Sequence, residues 1–489
     1  MKNKYMTAKS VVFIISALII CGCNKINDIN VSPNNPPLDK ATPEVLFPSA
    51  VVSTAGRVGG ELDIIGGLWS QYWTQSVAAS QFRTIDAYSL TRNDFNGNYT
   101  ELFSGALPDY QLAISQAKAN KQYPFYLMCT VMKAYTYEVL VDLYDKVPYS
   151  QAFQGAANLQ PKFDDGHTIY KGLLAEIDSA LATNYNVALS DADAKTDFIF
   201  KGNMDNWRKF ANTLKLKMYL RMVNAYPQEA QAGVQSLYTS GADFLDVDAG
   251  VNIFSDATNL RNPLYAYEVF NLGAVNLRAS KTFTSWLVAN SDPRTAIYFG
   301  TSSPTAIDQG NYTASQSAEP SYYSATSPKL SATDPVYFLT AAESDFLQAE
   351  AAARYGLGNA QASFDAGVQA AFAQYNLTAP TGGVYQYPAS ADLQTNLRAI
   401  IYQKWASYPN SHTLEGFFDQ ERTGYPEHSS VYSLDPNYVP GEWVYSKNGV
   451  TSGKFPKRLV YPEAERSTNS NTPPEVPITT PVWWGLPNN

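Results

Sequence analysis

Ala341-Ala-Glu-Ser-Asp-Phe-Leu-Gln-Ala-Glu-Ala-Ala-Ala-Arg-Tyr355, then Gly356-Leu-Gly358-Asn359, then Ala360-Gln-Ala-Ser-Phe-Asp-Ala-Gly-Val-Gln-Ala-Ala-Phe-Ala-Gln-Tyr375 is the stretch that decides the fold. In its first part Phe346, Leu347, Ala349, Ala351 and Ala352 recur at helical spacing; in its second, Phe364, Val368, Ala371 and Phe372 do the same. Gly356 and Gly358 stop the first helix, because glycine reaches the left-handed backbone conformation that ends one. Small contact residues, a short glycine turn and a unit of about 35 residues describe a tetratricopeptide-like helical hairpin. Leu393 to Ala406 gives a further helix, and Leu414 to Phe418 starts its partner. The full repeat consensus is absent, so the units are degenerate; pairs of this type stack into a right-handed superhelix.

Upstream the same period recurs. Leu102, Leu107, Leu112 and Ile114 mark a helix over 101–119, and Pro124 opens another over 125–144. Ile169, Tyr170, Leu173, Leu174 and Ile177 mark 167–181; Trp207, Phe210, Leu214, Leu216, Met218 and Leu220 mark 206–223. Between these lie stretches rich in Tyr, Asn, Ser, Thr and Pro, at 54–100, 240–285, 295–337, 376–390 and 424–489. Structureless stretches of that length inside a compact domain are usually functional. The expected fold is therefore mainly α: a tetratricopeptide-like helical-repeat scaffold with long loop-rich insertions, one domain over 49–489.

The beginning of the chain reads differently. Lys2, Lys4 and Lys9 precede an apolar run from Val11 to Ile20, too short to span a bilayer. Ile20-Cys21-Gly22-Cys23 then has the form of a bacterial lipobox, with a small residue before an acylated cysteine. The expectation is a lipoprotein signal peptide over 1–22, lipid attachment at Cys23 through more than one acyl chain, and a tether over 23–48, rich in Asn, Pro and Asp. Cleavage there removes three lysines and no acid, taking the formal charge from −9 to −12. An acidic chain without a basic block disfavours nucleic-acid binding. Only Cys129 remains besides, so no disulfide framework is expected.

Motifs of catalysis are missing from the pattern. His167, His412 and His428 stand far apart, and there is no Walker loop, dinucleotide fingerprint or nucleophile elbow. Asp246-Val-Asp248-Ala-Gly250 begins like a calcium loop but lacks the later ligands. No cofactor, metal or catalytic residue is expected. Abundant instead are aromatics: 34 Tyr, 8 Trp and 23 Phe. A pyranose stacks its apolar face on such rings while amides and guanidiniums bind its hydroxyls. That mixture occurs in Trp69, Tyr72 and Trp73 with Phe82, Arg83 and Tyr88, and in Tyr265 and Tyr267 with Asn276 and Arg278. These ten are the expected ligand-binding residues, although Tyr and Trp also fill cores.

Six short motifs, in order along nearly the whole mature chain, resemble the SusD/RagB family of nutrient-binding outer-membrane lipoproteins of Bacteroidetes. Asp142-Leu-Tyr-Asp-Lys-Val-Pro-Tyr149 is similar to its "Gly-Asp-Val-Pro-Tyr" turn, with Asp145-Lys146 where Gly-Asp is usual. Pro161-Lys-Phe-Asp164, Asp197 to Gly202 with Trp207 to Arg221, and Glu343 to Ala351 follow. Gln403-Lys404-Trp405 with Asp419 to Pro426, and Arg458 to Asn469, complete the series. The resemblance implies a SusD-like α-α superhelix with its ligand site in the loop-rich part. It implies capture of an oligosaccharide at the cell surface, without bond breaking, and delivery to a SusC-like TonB-dependent transporter. Asn24-Lys-Ile-Asn-Asp28 is a weak version of a surface-export signal. Alternatives are the same kind of complex taking peptides, and a surface glycoside hydrolase.

Overall fold

The computed structural model describes residues 41–94, 96–410 and 412–486. Cys23, the expected signal peptide and the expected tether as far as residue 40 lie outside the described residues. Residues 43–48, expected as the end of the tether, belong instead to helix α1, Pro43–Val58, which starts on Pro43 and buries Leu46, Phe47, Ala50 and Val51. Helix α2, Glu61–Trp69, follows almost directly, so 54–100 is not one long loop. Gly59, Gly60, Gly66 and Gly67, poor helix formers, interrupt the pattern there, and tertiary contacts make the helix.

The repeat helices come next: α3 (Leu107–Ala119, led in by a π-helical turn Glu101–Ala106), α4 (Tyr123–Tyr144), α5 (Gly166–Leu181), α6 (Met204–Arg221) and α7 (Pro227–Thr239). Helices α8 (Lys281–Ala289) and α9 (Arg294–Phe299) sit among the loops. The second set is α10 (Ala341–Tyr355), α11 (Ala360–Ala373), α12 (Leu393–Ser407) and α13 (Thr413–Thr423). Helix α10 begins on a capping-box sequence: the Thr340 hydroxyl accepts the Glu343 N–H at 3.1 Å, and Gly356 ends it at φ +68°. Gly367 lets α11 approach α10, since a Cβ there would stand 2.8 Å from the Phe346 ring. Helix α4 packs on α3 and α5, α10 on α11 and α12, and α6 touches both α4 and α10, joining the two sets.

The lysines and arginines of α6 bind carboxylates from other helices as well as from loops. Lys217 bridges Glu138 of α4 at 2.9 Å and Glu415 of α13 at 3.0 Å; Arg221 reaches Asp142 at 3.1 Å and Glu415 at 2.8 Å. Arg422 forks onto Glu350 of α10 at 2.5 and 2.7 Å and onto Asp419 at 3.1 Å. All of these groups are buried. Buried ions need partners and hydrogen bonds to offset lost hydration, and here the partners come from α4, α6, α10 and α13, tying these helices together.

Three two-stranded antiparallel sheets fasten the insertions. β2 (Lys146–Pro148) pairs with β3 (Phe163–Asp165), and β4 (Ala249–Val251) with β6 (Val336–Leu339) just before α10. β1 (Trp73–Gln75) pairs with β5 (Leu277–Ala279), placing Thr74 opposite Arg278. Among the described residues no helix is long and apolar enough to cross a membrane.

Candidate functional site

The β1–β5 pairing unites the two segments singled out for ligand binding, although they lie some two hundred residues apart in sequence. The scaffold holds them firmly. Ser70 donates to the Thr413 carbonyl at 3.0 Å, Trp405 Nε1 to the Ser70 carbonyl at 2.9 Å, and Tyr72 OH to the Trp405 carbonyl at 2.8 Å. Asp63 of α2 accepts the Thr413 N–H at 2.9 Å.

Within this frame six of the ten expected residues do not face solvent, five aromatic rings and Asn276. Trp69, Tyr72, Trp73, Phe82 and Tyr88 are each at most 2% exposed. Trp69 packs on Phe417 at 5.0 Å and donates its indole N–H to the Ile85 carbonyl. Tyr72 lies between Phe283 and Trp405, at 5.0 and 5.7 Å; Tyr88 packs on Tyr445 and Phe455. Trp73 lies against Gly67, where a Cβ would stand 2.3 Å from the ring. Their ring faces are covered by protein, so in this conformation they form the floor of the loop region. The amides between them are likewise engaged. Gln71 Nε2 donates to the Val444 carbonyl at 2.7 Å, and Gln75 Oε1 accepts the Phe82 N–H at 2.7 Å. Asp86 accepts Thr74, Gln75 and Gln309, each at 2.8 Å, and burial still pushes its carboxyl up to about 6. Long-range loop backbone needs these donors and acceptors once buried, a demand that local sequence does not display.

Asn276 shares their burial, its Oδ1 accepting the Gln81 N–H at 3.1 Å, and the other four are partly exposed. Arg278 is half-buried and donates to the Ala274 and Leu277 carbonyls and to Ser327. Tyr265 and Tyr267 are half-buried; Tyr267 packs on Phe82 at 6.0 Å and hydrogen-bonds Gln81. Arg83, also half-buried, sets its guanidinium over the Tyr312 ring, 5.1 Å from the centroid. Gln81 is exposed. What reaches solvent is thus a patch of two tyrosine rings with a guanidinium and an amide beside them. Sequence reasoning missed Tyr312, which had no signal beyond its place in the 295–337 loop.

The remaining chemistry is structural. Among the described residues, the group with metal-ligand spacing is Glu343, His412 and Glu415, all buried, with ligand atoms within 4.8 Å of one another. His412 Nε2 meets Glu343 at 2.9 Å, and the ammoniums of Lys217 (3.0 Å from Glu415) and Lys404 (3.9 Å from Glu343) supply the positive charge there. Asp246 binds Lys209 at 2.9 Å and Asp248 accepts the Ala341 N–H at 2.9 Å, so the calcium-like sequence tethers helices.

No curated relative matches the sequence. Solved structures share the fold. A SusD homologue from Bacteroides uniformis has a TM-score of 0.73 at 22% identity, covering 90% of this chain and 99% of its own. A chitin-binding SusD homologue from Flavobacterium johnsoniae has 0.73 at 21%, covering 91% and 98%. A SusD-like protein from Bacteroides thetaiotaomicron has 0.67 at 19%, covering 90% and 99%. A family model described as starch-binding, associating with the outer membrane, matches residues 33–462. With that match over most of its length and a mainly α, tetratricopeptide-like scaffold, the chain belongs to the SusD-like family.

Proposed function

We propose that this protein is a non-catalytic lipoprotein, anchored through Cys23 in the outer membrane, that captures oligosaccharides at the cell surface. It passes them to a SusC-like TonB-dependent transporter. The observation that carries the reading is the solvent-facing patch on the 81–83 loop, where Gln81 and Arg83 stand beside Tyr267 and Tyr312. Flat rings flanked by an amide and a guanidinium match the amphipathic faces of a sugar. Arg278 and Tyr265, half-buried on the segment that pairs with β1 or leads to it, are the further candidates.

Calorimetric titration with oligosaccharides tests this, chito-oligosaccharides first, because one structural relative is described as chitin-binding. Tyr267→Ala and Arg83→Ala should each weaken binding by at least about tenfold, the scale of one lost stacking or charge-assisted contact. Unchanged affinity in both removes this patch from the site. Cys23→Ala should move the protein from the membrane to the soluble fraction; membrane retention without Cys23 refutes the anchor.

A further inference from the structure

The buried charges that join the two helix sets do not balance. Ion contacts of at most 4.0 Å link Glu138 and Asp142 of α4, Glu343 and Glu350 of α10, and Glu415 and Asp419 of α13. Their cations are Lys217 and Arg221 of α6, Arg354 of α10, Lys404 of α12 and Arg422 of α13. His412, at the start of α13, joins at 2.9 Å from Glu343. Beside it the buried Asp63 of α2 accepts the Thr413 N–H at 2.9 Å and the Thr413 hydroxyl at 2.7 Å. Seven carboxylates thus face five permanent cations and one imidazole. Even with His412 charged, the cluster is one positive charge short. All its members except Arg354 are buried, where an unmatched ion is costly, so one carboxyl has to keep its proton.

Glu138 is the carboxylate provided for least. Each of the others accepts a hydrogen bond: Glu350 from Arg422, Glu415 from Lys217 and Arg221, Asp419 from Lys404, and Glu343 from His412. Asp142 accepts the Tyr170 hydroxyl at 2.6 Å and the Trp484 indole N–H at 2.7 Å, and Asp63 is held by Thr413. Among the described residues neither oxygen of Glu138 accepts one. Lys217 stands 2.9 Å from it, off a hydrogen-bond direction, and is shared with Glu415 at 3.0 Å. Around Glu138 stand Asp142 and Tyr135 of its own helix, Tyr170 of α5, Lys217 and Arg221 of α6, Glu343 of α10 and Glu415 of α13, with Tyr110 of α3 near Tyr135. Burial pushes its carboxyl up to about 8 against Lys217, and Asp142 and Glu415 add to the rise.

We infer that Glu138 holds a proton at neutral pH and acts as a latch between the two helix sets: losing the proton in alkali leaves a bare carboxylate among α4, α6 and α13. The fold prefers Glu138 neutral, so its contribution is complete below the ordinary value of 4.5 and is lost as pH rises through about 8.

Infrared spectroscopy and equilibrium urea unfolding of the mature protein test it. At pH 6.5 wild type should show the carbonyl stretch of a neutral, water-excluded carboxylic acid that Glu138→Gln lacks and that Asp63→Asn and His412→Gln retain. Relative to Glu138→Gln, the folding constant of wild type should fall about tenfold for each pH unit between pH 5.5 and pH 7, the slope of one proton, and level off above pH 8.5. A band that persists in Glu138→Gln, or one lost on Asp63→Asn instead, overturns the assignment, and so do parallel pH profiles of wild type and Glu138→Gln. Should Glu138→Gln fail to fold, the wild-type band decides alone. It must fade as pH is raised from pH 7 to pH 9; a band unchanged across that range, or absent at pH 6.5, refutes the latch.

Discussion

Replacing Arg422 by methionine keeps most of the side-chain volume and removes one guanidinium from the charged core. Arg422 is 2% exposed and forms both parallel bonds to Glu350. Burial pushes the Glu350 carboxyl up, but Arg422 and then Arg354 outweigh it and hold the group well below the usual carboxylate range. Stripping a buried pair of one partner costs about 3–5 kcal/mol, because the other charge stays desolvated. Glu350 would keep Arg354 at 2.7 Å and Asp419 would keep Lys404 at 3.0 Å, which sets the expectation at the lower end, about 3 kcal/mol. Replacing both partners, Arg422→Met with Glu350→Met, should recover most of that loss, since apolar side chains fill the space without a stranded ion. The sign with pH follows from the lowered folded-state value. Glu350 contributes its stability above its unfolded value of 4.5, and that contribution fades as pH falls toward the folded one. The deficit of the single variant should therefore shrink in acid, where Glu350 takes up a proton. Equilibrium urea unfolding followed by tryptophan fluorescence, at pH 7 and pH 4.5, reads all of this. A single variant within about 0.5 kcal/mol of wild type, or a double variant no better than the single, refutes the reasoning.

Burial raises Asp63 from 3.8 to about 6, against the Thr413 hydrogen bonds that lower it. Its neutral form is favoured in the fold, so its contribution is complete below pH 3.8 and lost by the time pH has passed 6. Asp63→Asn should then stabilise the protein at pH 7.5 by up to about 3 kcal/mol and give no gain at pH 3.5; an equal effect at both would contradict the titration. Gly367→Val would drive side-chain carbon into the fully buried Phe346 ring and should cost roughly 1–3 kcal/mol, seen as a lower melting temperature. A variant that melts with wild type would show that α10 and α11 are less tightly apposed than described.

Sequence alone determined the repeat scaffold, because a helix that buries one face writes its contact pattern at a fixed period. Helix α10 ends where its glycine stands, and α4 starts within two residues of the position read from Pro124. It also singled out 69–88 and 265–278, each for carrying rings among amides, while their meeting through β1–β5 is a product of the tertiary fold. Only the tertiary structure decided which rings remain free. Trp73 and Tyr72 are indistinguishable in sequence from stacking platforms, yet α2, α8 and α12 close over them. Tyr312 is unremarked in its loop until Arg83 arrives beside it from more than two hundred residues away. Which ring stays free depends on what the fold packs against it, and that is settled by long-range packing rather than by periodicity.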